Sequence, residues 1–173
     1  VAERIAAAQV SALTASREEF EGACCVLGDA RPAAVQEAKA KKPVIIYMDS
    51  MAASGGYYLS CGATKIVANE HTWTGSIGVI VQGVGYGEAL AKLGLEMRVF
   101  RSGNFKDTFY GQRKMTPEED AYVQAMVMQT YDRFVNIVST TRKIPVEKLK
   151  TEIADGRVYS GAEALKLGLI DQT

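Results

Sequence analysis

Histidine is almost missing from this chain: His71 is the only one in 173 residues. A triad hydrolase needs an imidazole base oriented by a carboxylate. His71 sits in the polar turn NEHTWTG without an evident carboxylate partner, so it reads as structural. With a single histidine in the chain, a zinc site is not expected either. Cys24, Cys25 and Cys61 are an odd set containing an adjacent pair, which is no disulfide framework, and they read as small buried hydrophobes. No apolar run approaches the roughly 18 residues that span a bilayer. The first twenty residues do not read as a signal peptide, since Glu3, Arg4, Arg17, Glu18 and Glu19 interrupt them. Neither charge is in excess: 20 Lys and Arg balance 20 Asp and Glu, which speaks against a nucleic-acid-binding module. Val1 stands where Met would open a chain, so the expectation is a processed or truncated piece whose anchor or targeting signal lies elsewhere.

What remains is an ordinary globular composition, 47% hydrophobic and 23% charged, of a length suited to one domain over 1–173. Residues 1–20 read as an Ala-rich helix and ACCVL (23–27) as a short buried strand. AAVQEAKAKK (33–42) is helical, and Pro43 punctuates before the apolar strand VIIYM (44–48). A short helix follows the glycines at 55–56. KIVAN (65–69), SIGVIVQ (76–82) and EMRVF (96–100) read as strands, with the helix EALAKL (88–93) closed by Gly94. Beyond residue 115 the pattern turns helical. Thr116-Pro117-Glu118-Glu119 is a capping box opening a helix to about Arg142, with Tyr122, Met126, Phe134, Ile137 and Val138 as its apolar contacts. Pro145 precedes a shorter helix over 146–154, and a second capping box at Ser160 and Glu163 opens one closed by Gly168, before a last short strand LID. The alternation predicts an α/β fold with a mainly parallel sheet and a helical C-terminal part.

With no imidazole base, an activated serine would turn to lysine, whose neutral amine needs only burial beside the hydroxyl. Ser54, in MAASGGYYLSCG, stands between an apolar strand and a helix. There the hydroxyl can project from a tight turn while the Gly55 N–H points at a developing oxyanion. Small residues at such a junction equally serve close packing. Lys106, in RSGNFKDTF, reads either as a solvated loop charge or as a base desolvated by Phe105 and Phe109. Lowering an ordinary lysine from about 10.4 to about 7–8 costs roughly 3–5 kcal/mol, which the fold would have to supply. Ser76, in WTGSIGV, is either a plain turn serine or a partner that holds the amine toward Ser54. Gly83-Val84-Gly85-Tyr86-Gly87 imitates a dinucleotide fingerprint, but its spacing is wrong and Glu88 stands where phosphate would bind. No cofactor is expected.

Taken together, MAASGGYYLSCGATKIVANEHTWTGSIGV, RSGNFKDTF and IADGRVYSGAEALKLGLID, in that order across roughly 43–171, resemble the signal peptide peptidase A family of serine peptidases. The resemblance implies a Clp protease/crotonase-like spiral of ββα units. It also implies Ser54 as nucleophile, Lys106 as general base, Ser76 as the serine orienting the lysine, and Gly55 as an oxyanion donor. It further implies ATP-independent cleavage of signal peptides or other short apolar peptides, homo-oligomers with inward-facing sites, and no nucleic acid. The location implied is the bacterial cell membrane, with the catalytic domain extracytoplasmic and attached only through a segment outside this sequence. One feature departs from the family: its Ser-Pro-Gly-Gly-type loop is absent where CCVL runs through Gly28-Asp29-Ala30-Arg31-Pro32 into the next helix. Losing one oxyanion donor typically costs about 2.7–4 kcal/mol. The expectation is therefore a mobile segment missing near 27–30, the other reading being a catalytically impaired scaffold. A phage prohead-type peptidase of the same family is a further alternative. A crotonase-like acyl-CoA enzyme is another, although no carboxylate flanks Ser54.

Overall fold

The computed structural model describes residues 30–173. The helix expected over 1–20, the strand over 23–27, Cys24, Cys25 and the missing-loop question near 27–30 lie outside the described residues. The chain forms two compact units, one from the residues up to Gly78 together with Tyr131–Thr173, the other from Val79–Thr130.

In the first unit, α1 (Ala30–Lys41) leads past Pro43 into β1 (Ile45–Met48) and β2 (Met51–Ala53). Then follow α2 (Gly55–Ser60), β3 (Lys65–Ala68) and β4 (Trp73–Gly75). The chain returns in the second half of α4 (Pro117–Arg142) and continues through α5 (Val146–Lys148) into a π-helical turn (Leu149–Ile153). β5 (Val158–Ser160) and α6 (Gly161–Leu167) end the unit. β1 pairs parallel with β3 from Ile45 opposite Lys65. A second small sheet has the order β2-β4-β5, parallel for β2–β4 and antiparallel for β4–β5. The class is α/β, as expected, with parallel pairing at the two N-terminal strand pairs.

Apolar burial holds this unit together. Tyr57, Ile66, Phe134, Val138, Leu149, Ile153 and Leu169 are almost wholly removed from water, and each such side chain stabilises by about 1.5–3 kcal/mol. Their polar atoms are satisfied as they go in. The buried Tyr57 hydroxyl donates to the Leu169 carbonyl at 2.8 Å, and the Tyr58 ring stands edge-on to Phe134 at 5.0 Å. The C-terminus is tied down by charge. Arg142 grips both Asp171 oxygens (2.7 and 3.1 Å), and Asp171 also accepts the Ile66 N–H at 2.7 Å. Burial opposes ionisation of Asp171, but Arg142 and that N–H prevail and hold its carboxyl below the usual range. Cys61 is a free, buried thiol that desolvation pushes up to about 12, as an inert core hydrophobe.

The second unit has α3 (Gly87–Lys92), closed by Gly94 at φ +73°, and the first half of α4. Its polar centre is a run of charges six residues apart. Arg113 donates to Asp107 (2.9 and 3.1 Å) and to Glu119 (2.6 and 2.7 Å), while Arg101 donates to Asp107 at 2.6 Å. Both carboxylates are almost fully buried. The Arg113 guanidinium holds Asp107 down at about 2, and Arg113 with the Thr116 N–H holds Glu119 well below the carboxylate range.

Both capping boxes form: Thr116 with Glu119, and Ser160 with Glu163. Other expectations give way. Residues 76–82 and 96–100 form no strand among the described residues, and Ile80, Val81, Met97 and Phe100 stay exposed. β-propensity expresses itself only against a pairing neighbour, and none is supplied here among the described residues; of these segments only Ile77 is buried. LID makes a bend instead of a strand, and the isolated bridge, Val67 to Gln172, falls on the residue after it. On α4, Phe134 and Val138 are buried as expected, whereas Tyr122 and Met126 are exposed.

Two measurements check this account. Gly75 has φ +76°, and an added Cβ would come within 2.7 Å of the Tyr159 ring. Gly75→Ala is therefore expected to cost about 2 kcal/mol or more, read as a lowered thermal midpoint. The depressed carboxyls of Asp107 and Glu119 contribute stability above their unfolded values near 4, and that stability is lost as pH falls toward the folded ones. Hydrogen exchange at residues 101–119 should accelerate between about pH 4 and 2.

Candidate active site

The site is built by strand register. Parallel pairing sets Met51 opposite Trp73, Ala52 opposite Thr74 and Ala53 opposite Gly75. The buried Thr74 hydroxyl fastens the ladder by donating to the Ala52 carbonyl at 2.9 Å. One step further, Ser54 and Ser76 leave the ends of neighbouring strands, whose backbones are about 4.8 Å apart. The Ser54 N–H still donates to the Gly75 carbonyl at 2.8 Å, and the Ser76 N–H donates to the Arg157 carbonyl at 2.8 Å. Ser54, Gly55 and Ser76 are thus brought together, with both serines half-buried.

Neither serine has an ordinary backbone. Ser54 sits at φ 51°, ψ −116° and Ser76 at φ 49°, a region that costs a non-glycine residue on the order of 1–3 kcal/mol. The turn at Ser54 is held from the far side. α2 begins at Gly55 and is buried at Gly55, Gly56, Tyr57, Tyr58 and Ser60. The Tyr58 N–H donates to the Ser54 carbonyl at 2.9 Å. The Ser54 side chain does not cap this helix. Among the described residues its hydroxyl has no hydrogen-bond partner, and Ser54 lies half-buried at a sharp strand-to-helix turn. As the first residue of α2, Gly55 has an N–H without an intrahelical acceptor, available to an oxyanion.

Lys106 belongs to the other unit. Its N–H donates to the Gly103 carbonyl at 3.1 Å, and its side chain is exposed. The desolvation expected from Phe105 and Phe109 is not found within the described chain. Phe109 points to solvent, and the partly exposed Phe105 ring packs on Tyr122 at 5.2 Å. His71 is exposed on its turn. No group of three or more candidate metal ligands occurs among the described residues. Sequence reading missed the charges around Lys106. Glu119 is visible as a capping residue, but only the six-residue spacing of Arg101, Asp107, Arg113 and Glu119 hints that one network joins them.

If the turn at Ser54 stores strain, removing its Cβ relieves it. Ser54→Gly should be more stable than Ser54→Ala by about 1 kcal/mol in denaturant unfolding. Equal stability would show the turn to be unstrained.

The chain is 46% identical over 142 residues to an Enterococcus faecium protein named by inference as signal peptide peptidase SppA, covering 80% of this chain and 41% of that protein. It is 36% identical over 131 residues to the chloroplastic serine protease SPPA of Arabidopsis thaliana, covering 75% and 19% respectively. To protease 4 of Haemophilus influenzae it is 34% identical over 134 residues, covering 78% and 22%. The chain spans less than half the length of each. The profile of peptidase family S49 matches residues 36–173, and the chain belongs to that family.

Proposed function

We propose that this chain carries the catalytic apparatus of an ATP-independent serine endopeptidase working through a Ser54/Lys106 dyad. The observation that carries the reading is the uncapped, positive-φ serine at the head of a buried helix, beside a second serine on the neighbouring strand. In this reading neutral Lys106 Nζ takes the Ser54 Oγ proton as Oγ bonds to the scissile carbonyl carbon. The oxyanion is met by the Gly55 N–H. The lysine then gives the proton to the leaving amine as the C–N bond breaks, leaving an acyl-enzyme; in the second half it takes a proton from water as the water oxygen bonds to the acyl carbon, and passes it to Ser54 Oγ as the ester bond breaks and the acid leaves. The Ser76 hydroxyl accepts from the amine and aims it. No metal or cofactor takes part.

The substrates proposed are signal peptides or other short apolar peptides, consistent with the names of the relatives. Self-association is supported by the exposed apolar residues of the second unit, Val84, Leu93 and Phe100 among them. No nucleic acid is a partner. No helix among the described residues is long and apolar enough to cross a membrane, so the proposed extracytoplasmic location at the bacterial cell membrane depends on a segment beyond them. A Clp protease/crotonase-like spiral is supported by the order β1-β2-α2-β3-β4, in which β3 returns beside β1 and β4 beside β2.

A fluorophosphonate probe tests the dyad. It should label the intact protein at Ser54, and both Ser54→Ala and Lys106→Ala should abolish labelling and peptide cleavage. Ser76→Ala should slow cleavage about 10- to 100-fold. Labelling that survives both dyad substitutions removes the proposal. An unlabelled, inactive full-length protein would instead favour the impaired scaffold.

A further inference from the structure

The residue after Lys106 is a carboxylate, and an unpaired carboxylate there would favour an ammonium and oppose use of the amine as a base. The chain occupies that carboxylate completely. Asp107 Oδ1 accepts from Arg113 Nη2, and Oδ2 accepts from both Arg113 Nε and Arg101 Nη1. The same Arg113 fork reaches Glu119, which receives Nη1 on Oε2 and Nη2 on Oε1. Two guanidiniums therefore cancel two carboxylates beside the loop.

The loop is also fixed mechanically. Thr108 Oγ1 lies 3.0 Å from the Phe105 carbonyl and 2.8 Å from Glu119 Oε1. Glu119 in turn accepts the Thr116 N–H at the start of α4. Both flanks of Lys106 are thus pinned to a helix terminus while the lysine itself projects outward. The other charges nearby are accounted for: Lys114 pairs with Glu88 at 2.7 Å, and Glu118 and Asp120 are exposed on the first turn of α4.

We propose that Arg113 is a positioning residue for Lys106: by chelating Asp107 and Glu119 together it fixes the loop that carries the amine and withdraws the neighbouring negative charge from it. The proposal rests on the dyad reading above. Arginine is suited to the task because one planar guanidinium presents paired donors to two carboxylates at once, a fixed geometry that a lysine ammonium does not offer. Arg101, on the outer side, completes the neutralisation of Asp107 without touching Glu119.

The test uses full-length protein, a peptide substrate and the fluorophosphonate, with labelling rate followed against pH at low salt. Arg113→Met should lower kcat about 100-fold, the order expected when a reacting group is displaced by about an ångström, with KM changed less than about threefold. Its labelling profile should move to higher pH by about half a unit, because the Asp107 and Glu119 charges are uncovered. Asp107→Asn should move the profile the opposite way, because Arg101 and Arg113 then lose a counter-charge. Arg113→Lys should keep the wild-type midpoint and still lose kcat, having charge without the fork.

Opposite displacements by Arg113→Met and Asp107→Asn support the role, since a purely structural part would lower rates without moving midpoints in opposite directions. Unmoved midpoints in both, or a wild-type kcat in Arg113→Met, overturn it. Should Arg113→Met fail to fold by circular dichroism, an unmoved midpoint in Asp107→Asn alone overturns it. The dyad reading fails separately, by labelling that persists in Ser54→Ala or Lys106→Ala.

Discussion

The site depends on one backbone hydrogen bond, Ser54 N–H to Gly75 carbonyl at 2.8 Å. It extends the β2–β4 ladder by one step past the point where both strands turn aside, and so fixes the two serines relative to each other. Neither residue would adopt its φ unaided. The ladder on one side and the burial of α2 on the other over-determine the turn, which is the condition under which local strain persists. Gly75 contributes twice: its carbonyl accepts the bond, and its missing Cβ lets the Tyr159 ring lie against β4.

The two units solve the placement problem by different physics. Around Ser54 the means is apolar burial: Tyr57 and Tyr58 drive α2 into a core of Phe134, Ile66 and Leu169. Around Lys106 it is charge, with Arg113 holding two almost fully buried carboxylates. Apolar packing is insensitive to pH, whereas the polar clamp requires ionised carboxylates. The loop bearing Lys106 is consequently a part whose order depends on acidity, as the Arg142–Asp171 tie is in the first unit.

How much of this was legible follows from the length of the signals. The capping boxes at Thr116 and Ser160 are local, four-residue patterns with one geometric meaning, and both form. Ser54 was visible through its strand–glycine–helix setting, although its positive φ was not, because that arises from a partner two strands away in sequence. β2 and β4 escaped notice because three residues are too few to show a period, and NEHTWTG reads as a turn until Met51 is known to lie opposite Trp73. EMRVF failed in the other direction, since strong local propensity without a pairing strand leaves an extended, exposed segment. The neutralisation of Asp107 was hidden because ion pairs six residues apart across a loop have no sequence rule comparable to the i, i+4 pairs of a helix.

Hydroxyl accounting separates Ser54 and Ser76 from the chain's other hydroxyl residues near the core. Ser60 donates to the Gly56 carbonyl, Thr74 to that of Ala52, Thr108 is shared between Phe105 and Glu119, and Ser160 caps α6. Each of those groups is committed to structure, as burial requires. The hydroxyls of Ser54 and Ser76 have no hydrogen-bond partner among the described residues, although they sit half-buried at adjoining strand ends. Packing alone would be served equally well by alanine or glycine at both positions, and glycine would also relieve the backbone. Among the described residues neither hydroxyl is committed to structure where the backbone resists a side chain, so the function proposed for the pair is also the economical account of why serine stands there.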